Sequence, residues 1–287
     1  MPPSTAAKLF QSQLPGFAEP GLTAIAGAFT GVETAWPAAR LALANQLWGE
    51  GFIFPGGETE TLRLSRPLGV SVGGSLLVVG VGSGGPASAL ARNLGAVVTG
   101  VDTDPSLLAS ARGLISRSHL GKKVSIKAWR PDNPDLDTRA FHHCLALEPF
   151  RGARPEPGLY AFTQALRPGG DLVITELTAP APLDTEDMTV RRWAELEHRD
   201  PARLLSAVSV TRMAHRIGLD IRLVEDISQR HLDQAMLGWR LFVRGLDRKP
   251  DRQEAGLLMQ EAELWLLRRR LIRDGRLQFS RWHAVLR

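Results

Sequence analysis

Apolar positions along the chain follow two patterns, one typical of buried strands and one of helices. The run at 76–81 is too short for most helices and rich in β-branched residues, which favours a buried parallel strand. Further apolar runs predict strands at 96–101, 124–128, 141–148, 171–177 and 219–224. Apolar residues at helical spacing predict helices at 22–29, 35–48, 158–166, 231–246 and 257–272, and a helical pattern from 183 to 217. Strands that alternate with helices at such short intervals predict an α/β fold with a doubly wound, mainly parallel sheet.

Four glycines follow the first predicted strand, at Gly80, Gly82, Gly84 and Gly85. Glycine has no Cβ, so such a loop can turn sharply and bring its backbone N–H groups close to a ligand. The second predicted strand then delivers Asp102 at its tip, where an open α/β sheet binds the two hydroxyls of a ribose. Because the glycine spacing also satisfies the dinucleotide fingerprint, a nicotinamide-dependent oxidoreductase stays open at this point.

Two segments downstream of the glycine loop help to decide which class of enzyme the loop belongs to. TDPSLLASAR follows Asp102 at 103–112, and LRPGGDLVITEL occupies 166–177. Together with the glycine loop they resemble class I S-adenosylmethionine-dependent methyltransferases of the small-molecule type, over roughly 54–225 of the chain. The resemblance implies a Rossmann-like sheet of seven strands that the tail at 276–287 completes. We expect one compact domain with a helical cover at 1–64, a cofactor-binding core at 65–180, and C-terminal helical insertions with the last two strands at 181–287.

The resemblance also implies S-adenosyl-L-methionine as the cofactor and assigns the residues of its site. In the family the glycine loop holds the methionine part of the cofactor, and the acid at the end of the second strand holds the ribose. Asp132 is the substitute for an acid that family members often carry near the adenine, after the third strand. The expected cofactor-binding set is Gly80, Gly82, Gly84, Gly85, Asp102, Thr103 and Asp132.

Three positions depart from the family pattern. Family members commonly carry an acidic residue two positions before the first glycine, where this chain has Val78. The acid after strand three would fall near Trp129 or Arg130, and the frequent Phe-Asp opening of strand four is Phe141-His142 in this chain. The absence of a polar group at each position weakens cofactor binding by about 1–3 kcal/mol if the position is buried. A methyltransferase-like binding or assembly factor without catalytic activity is therefore the alternative to an enzyme.

Candidate catalytic residues come from the fourth predicted strand. Methyl transfer is a displacement at a sulfonium carbon with a neutral leaving group, so holding the acceptor in line and excluding water supply much of the acceleration. An oxygen, nitrogen or carbon acceptor can also need a base. The candidates there are His142, His143 and Glu148, beside Glu176 of the fifth predicted strand and Glu58 of the segment before the first. Glu148 is the best placed because the carboxyl ends of parallel strands face the ligand crevice.

The helices at the two ends of the chain are expected to cover the carboxyl edge of the sheet, where additions do not disturb the core. Five apolar residues of the C-terminal helices would then line a pocket for a hydrophobic acceptor: Met236, Trp239, Leu241, Phe242 and Trp265. The alternative is that these residues pack only against neighbouring helices. We therefore expect a small-molecule or lipid-like acceptor.

Composition places the chain among ordinary soluble proteins, with a hydrophobic fraction of 44% and a charged fraction of 23%. The single cysteine, Cys144, excludes an internal disulfide framework and a cysteine-based zinc cluster within one chain, and no metal site is expected. Cys144 lies in an apolar run and is expected to be buried. The N-terminal sequence lacks the apolar core of a secretory signal, and no stretch approaches the roughly 20 apolar residues that span a bilayer. A cytoplasmic protein is expected.

The formal net charge of +5 suits an anionic lipid surface or a nucleic acid. The basic residues of the C-terminal part are, however, interleaved with acidic ones, which favours a solvated helix face. We expect a small-molecule partner and no nucleic acid, with peripheral membrane contact left open.

Overall fold

The computed structural model describes residues 35–131, 135–151 and 154–287, and within them the chain forms a single sheet of seven strands. The strands are β1 (Ser75–Val79), β2 (Val97–Asp102), β3 (Val124–Ala128), β4 (Phe141–Leu147), β5 (Leu166–Thr178), β6 (Leu219–Asp226) and β7 (Gln278–Leu286). Their order is β3-β2-β1-β4-β5-β7-β6, with β7 antiparallel to both of its neighbours. The predicted doubly wound, mainly parallel sheet with a closing strand at the C-terminus is confirmed.

Helices cover both faces of this sheet and its carboxyl edge. They are α1 (Ala38–Trp48), α2 (Gly57–Ser65), α3 (Gly85–Asn93), α4 (Pro105–Arg117), α5 (Pro155–Ala165), α6 (Met188–Glu197), α7 (Ala207–Arg216), α8 (Ser228–Arg244) and α9 (Arg252–Arg273). The helix predicted at 22–29 lies outside the described residues. No helix in the described part of the chain is both long enough and apolar enough to cross a membrane.

The helical pattern predicted from 183 to 217 forms two helices, α6 and α7. A short 3-10 turn, Pro201–Arg203, separates them. Proline has no N–H to donate to a preceding turn, and the Asp200 side chain caps the new turn by accepting from the Ala202 N–H. The break turns the C-terminal end of α6 and the segment after it towards the ends of β4 and β5, where Arg199 pairs with Glu176.

Strand β5 begins five residues earlier than the predicted 171–177, at Leu166. The Pro-Gly-Gly segment therefore lies inside the strand rather than before it. It forms an irregularity in the pairing with β4, where the register shifts between Phe141 and His143. Gly169 has a φ of 76°, and a Cβ on Gly170 would lie 2.7 Å from the His142 carbonyl oxygen, so glycine is required at this irregularity.

The parallel register of the central strands determines where polar residues can meet. Leu76 of β1 pairs with His143 of β4 and with Val98 of β2, so the carboxyl ends of the three strands lie side by side. Residues Leu76 to Val79 have no exposed surface, and Cys144 is likewise buried, as predicted. Burial raises the pKa of the Cys144 thiol far above its usual range, so this residue is an inert part of the core.

Helices α1, α8 and α9 pack against one another at the carboxyl edge of the sheet through a cluster of buried aromatic and aliphatic side chains. Trp48 of α1 and Trp265 of α9 meet edge to face, with ring centroids 5.5 Å apart. Gly238 of α8 lies against the Trp48 ring, where an added Cβ would come within 2.3 Å of a ring carbon. These three helices therefore form a close-packed layer over the loops that follow β1, β2 and β4.

Candidate active site

A cavity of about 220 Å³ lies between the carboxyl edge of the sheet and the layer of α1, α8 and α9. Its lining combines residues that follow four parallel strands with residues of the covering helices. Among them are Trp36, Gly80, Asp102, Thr103, Asp104, Leu107, Trp129, Glu148, Arg151, Glu197, His231, Trp265 and Arg268. The structure thus brings Gly80, Asp102, Thr103 and Glu148 together, as the sequence predicts for the tips of neighbouring parallel strands.

The glycine loop makes its turn through positive φ angles. Gly80 has a φ of 71°, and a Cβ there would lie 2.1 Å from the carbonyl oxygen of Leu147. The N–H groups of Gly80 and Val81 both donate to the Val101 carbonyl, at 2.9 and 3.1 Å. Gly85 donates to the carbonyl of Gly51 at 2.9 Å, which ties the start of α3 to the segment after α1. Gly80 borders the cavity, whereas Gly82, Gly84 and Gly85 shape the loop behind it.

Asp102 connects the glycine loop to the tip of β2. Its Oδ2 accepts from the Gly82 N–H at 2.9 Å, and its Oδ1 accepts from the N–H groups of Thr103 and Asp104 at 2.8 and 3.1 Å. Burial raises the pKa of this carboxyl group, and the three backbone hydrogen bonds oppose that rise. The side chain therefore holds the loop in shape, and the residue is part of the lining of the cavity.

An indole ring occupies the position after β3 where the family pattern has an acid. The backbone N–H of Trp129 donates to the Asp102 carbonyl at 3.1 Å, and the Trp129 ring packs on Phe162 with centroids 5.8 Å apart. The predicted substitute, Asp132, lies outside the described residues. Val78, which replaces the acid before the loop, is fully buried among apolar side chains and offers no polar contact.

Beyond Glu148 the cavity meets a group of buried charges that we call the ion cluster: Glu148, Glu176, Glu197, Arg151, Arg199 and Arg268. Arg199 donates to Glu148 at 2.6 Å and to Glu176 at 2.8 Å. Arg268 donates to Glu197 at 3.0 Å and approaches Glu148 at 3.7 Å, and Arg151 also donates to Glu197. Three carboxyl and three guanidinium groups thus share one site, and burial raises the pKa of the Glu176 carboxyl group above its ordinary value although Arg199 opposes that rise.

Glu148 follows β4 directly and has a φ of 44°, in the left-handed region that a non-glycine residue adopts at a cost of about 1–2 kcal/mol. Its backbone N–H donates to the Thr175 carbonyl at 2.8 Å, which holds this conformation. Burial raises the pKa of its carboxyl group, but the charges of Arg268, Arg199 and Arg151 outweigh burial and hold the pKa below its ordinary value. Glu148 is therefore an ionised hydrogen-bond acceptor and a weak base.

His231 of α8 contacts the ion cluster from the covering layer. Its Nε2 lies 3.0 Å from the Arg268 guanidinium, and its ring stacks on Phe279 with centroids 4.1 Å apart. Burial, with the nearby charge of Arg268, holds the pKa of this imidazole well below its ordinary value. His231 is therefore neutral, and its Nε2 lone pair is directed at Arg268 rather than at the cavity.

His142 is not part of this site. It lies near the start of β4, at the amino edge of the sheet, where its Nδ1 accepts from the Ser75 N–H at 3.1 Å and its Nε2 lies 2.8 Å from Arg167. The chain runs from this edge to the other along β4, so His142 and Glu148 lie at opposite ends of the strand. The prediction that His142 is catalytic does not fit this position.

The predicted hydrophobic wall of the acceptor pocket does not form. Among the described residues of that set, Trp265 lines the cavity, whereas Trp239 packs against Phe242 and Leu241 is 58% exposed. The charged residues Arg151, Glu197 and Arg268 line the cavity together with other apolar side chains, namely Ile227, Leu264 and Phe279.

The sequence analysis did not identify Arg268 as part of the site. Arg268 lies between Leu264 and Leu271 on the buried face of α9, and its side chain is 4% exposed. A charged residue at an apolar position of a helix was the available signal, because such a residue is almost never fully buried unless it is paired. Its partner Glu197 is 71 residues away in the chain, which no local pattern reveals.

The family model and the relatives that this chain resembles in sequence are all methyltransferases. Residues 76–170 match the family model described as a methyltransferase domain. The chain is 28% identical over 182 residues to methyltransferase GfsG of Streptomyces halstedii, across 61% of this chain and 63% of that protein. It is 34% identical over 118 residues to demethylmenaquinone methyltransferase of Tropheryma whipplei, across 40% of this chain and 46% of that protein.

Among solved structures, the fold is similar to phosphoethanolamine N-methyltransferase 2 of Haemonchus contortus in complex with S-adenosyl-L-methionine. The TM-score is 0.75 at 20% identity, across 86% of this chain and 56% of that one. The chain thus matches between about half and two thirds of the length of these proteins.

Proposed function

We propose that this chain, which belongs to the class I S-adenosylmethionine-dependent methyltransferases, binds that cofactor in the cavity and methylates a small-molecule or lipid-like acceptor. The observation that carries the proposal is the meeting of Gly80, Asp102 and Glu148 around one cavity at the tips of three neighbouring parallel strands. The names of similar proteins include acceptors as different as demethylmenaquinone and phosphoethanolamine, which supports the class of reaction but leaves the acceptor open.

The residues present fit the cofactor. The Asp102 carboxylate suits the two ribose hydroxyls, which is the usual role of an acid at the tip of the second strand. Gly80 lets the loop pass close to the Leu147 carbonyl, which a side chain would not allow, and the apolar side chains of Leu107 and Trp129 suit the flat adenine ring. The bound cofactor supplies an electrophilic methyl group on a sulfonium.

The chain's own contribution is to bind, orient and exclude water. Trp36 of the segment before α1 and Trp265 of α9 are both buried and line the cavity, so the covering layer keeps solvent from the reacting groups. Glu148 is ionised and held in place by Arg199, so we assign it the role of accepting a hydrogen bond from the acceptor. A fixed anion in this position orients the acceptor, and orientation supplies much of the acceleration in a displacement of this kind.

A methyltransferase-like binding factor without catalysis is the second candidate. Two observations favour it: Val78 offers no polar contact before the glycine loop, and Asp102 already accepts three backbone hydrogen bonds. The two functions differ in what happens after cofactor binding. A binding factor can retain S-adenosylmethionine, but it releases no S-adenosylhomocysteine with any acceptor.

We expect Asp102→Ala to weaken S-adenosylmethionine binding by about 1.5–3 kcal/mol, since a hydrogen bond to a charged group contributes that much. The measurement is isothermal titration of the purified protein with S-adenosylmethionine and S-adenosylhomocysteine. Asp137→Ala is the matched control, because Asp137 is exposed, pairs with Lys127 and does not line the cavity. Circular dichroism checks that the Asp102→Ala variant keeps its fold without the hydrogen bond to Gly82.

Two outcomes would contradict this proposal. Wild-type protein that binds neither compound would remove the cofactor from the account altogether. Equal affinities of the wild-type protein and a folded Asp102→Ala variant would place the cofactor elsewhere on the chain.

A further inference from the structure

The outer face of α8 carries apolar side chains that the fold leaves half-exposed. Leu237 is 50% exposed, and Leu241, one helical turn later, is 58% exposed. The inner face of the same helix, with Gly238 and Trp239, is buried in the layer of α1, α8 and α9. Single exposed apolar residues are common on protein surfaces, but two of them one turn apart form an apolar strip along the helix. An apolar strip among polar residues is typical of a binding surface.

Two arginines share this face of α8 with the leucines. Arg240 and Arg244 are exposed, and the four residues occupy positions i, i+3, i+4 and i+7 of the helix. Within the part of the chain that the structure describes, neither guanidinium group forms an ion pair, and Arg240 donates to the Met236 carbonyl of its own helix at 3.2 Å. A helix face that only meets solvent typically carries basic and acidic residues in alternation. This face is instead apolar and cationic.

The surroundings of the strip are also positive. The segment 237–259 contains five basic residues and three acidic ones, and one of the acids, Glu254, is paired with Arg248. The one acidic residue in the sequence of α8 is Asp233, whose Oδ1 accepts from the Gln229 side chain at 2.8 Å. The whole chain has a formal net charge of +5. A partner of negative charge is therefore attracted to this face, and a cationic one is repelled.

We propose that this face of α8 docks the protein on an anionic lipid bilayer. A helix that lies in the plane of the membrane interface buries its apolar side chains at the boundary of the acyl chains, while its arginines extend to the phosphates of the headgroups. Leucines and arginines on one helix face meet both requirements. A protein partner fits less well, because leucine is under-represented among the residues that dominate the binding energy of protein interfaces.

The docking face belongs to the same helix that borders the cavity. His231 and Gln234 of α8 are part of the cavity lining, and the strip lies on the outer side of the layer that covers the cavity. Docking through the strip therefore brings the bilayer against this layer. The interaction itself requires neither cofactor nor acceptor, so it is tested independently of the proposed function.

Co-sedimentation of the purified full chain with lipid vesicles tests the proposal. One set of vesicles consists of phosphatidylcholine, and the other is an equal mixture of phosphatidylcholine and phosphatidylglycerol. We expect the anionic vesicles to be bound at least about tenfold more tightly, because two arginines near an anionic surface together account for at least that ratio. High salt is expected to release the protein, since it screens this attraction.

A matched pair of variants tests the apolar strip. We expect Leu241→Glu to weaken binding to the anionic vesicles at least about tenfold, because it removes an apolar contact and adds a negative charge at the membrane surface. Val208→Glu is the control, since Val208 of α7 is also 58% exposed and the change adds the same charge. Its affinity for the vesicles is expected to stay within about threefold of the wild type, because a charge beyond the screening length contributes little.

A second pair of variants tests the arginines. The double variant Arg240→Gln, Arg244→Gln is expected to lose binding to anionic vesicles at least about tenfold, while its weaker binding to neutral vesicles changes little. The control is Arg212→Gln, Arg216→Gln, because these two arginines are also exposed and have the same spacing on α7. Circular dichroism checks that each variant keeps its fold, and the arginine pair decides if Leu241→Glu does not fold.

Several results would overturn the docking face. They are no binding of the full chain to anionic vesicles, equal binding to both kinds of vesicle, wild-type binding by folded Leu241→Glu, and an equal loss in the two double arginine variants. A second copy of the chain on this face would give a dimer in analytical ultracentrifugation that Leu241→Glu dissociates, which would also overturn the proposal. Each of these results leaves the methyltransferase proposal intact, and failure to bind S-adenosylmethionine leaves the docking face intact.

Discussion

Arg268→Met is expected to destabilise the folded protein by about 3–5 kcal/mol, because removing one partner of a buried ion pair leaves an uncompensated charge. The Arg268 guanidinium donates to Glu197 at 3.0 Å and to His231 at 3.0 Å, and its side chain is 4% exposed. Methionine fills a similar volume, so the destabilisation reports the charge and hydrogen bonds rather than an empty space. The measurement is urea unfolding followed by circular dichroism at neutral pH.

The control for this experiment is Arg248→Met. Arg248 also pairs with a glutamate, Glu254, but its side chain is 64% exposed, and exposed ion pairs contribute little to stability. We expect its unfolding midpoint to match that of the wild type. Equal midpoints for Arg268→Met and the wild type would mean that the ion cluster is held by packing around it and that its charges are dispensable for the fold.

The fold, and the side of the cavity that the glycine loop and Asp102 form, follow from local sequence signals. A strand with no exposed surface, a glycine loop and an acid at the tip of the next strand are all contained within 75–104, and the register of parallel strands brings them to one edge. The loop even retains its own hydrogen bonds, from Gly82 to Asp102. Short-range patterns therefore suffice to predict this half of the site.

The side of the cavity that the ion cluster lines depends on contacts between residues that are distant in the chain. Arg199 pairs with Glu148 across 51 residues, and Arg268 pairs with Glu197 across 71. Each of these residues is an ordinary charged residue in its local context, and their burial is decided only when α6 and α9 pack over the sheet. The hydrophobic wall predicted from helical spacing failed for the same reason, since spacing gives a face of a helix but not what that face meets.

His142 illustrates a different limit of the sequence. A strand predicted at 141–148 contains both His142 and Glu148, and only the direction of the strand in the sheet decides which of them reaches the cavity. Because β4 is parallel to β1, its last residues lie beside the glycine loop and its first residues lie at the other edge. In this sheet a residue of a parallel strand can therefore reach the cavity only from the carboxyl end of that strand.

Gly80→Ala is expected to abolish detectable S-adenosylmethionine binding and to destabilise the fold by about 2–5 kcal/mol. Two costs contribute: a φ of 71° costs a non-glycine residue about 1–2 kcal/mol, and an overpacked interior typically costs a further 1–3 kcal/mol. The overpacking is severe, because the new Cβ would lie 2.1 Å from the Leu147 carbonyl oxygen, which belongs to the backbone and cannot rotate away. Displacing Leu147 also displaces Glu148, so both sides of the cavity change.

Gly73→Ala measures the backbone cost alone, so that comparison with Gly80→Ala gives the cost of overpacking. Gly73 has a φ of 77°, close to that of Gly80, but an added Cβ would meet no atom within 4 Å. We expect this variant to be destabilised only by the backbone cost of about 1–2 kcal/mol and to bind S-adenosylmethionine as the wild type does. The readouts are the urea unfolding midpoint and isothermal titration on both variants. Wild-type affinity in Gly80→Ala would show that the glycine loop does not hold the cofactor, because the clash at Leu147 cannot be relieved without moving the loop.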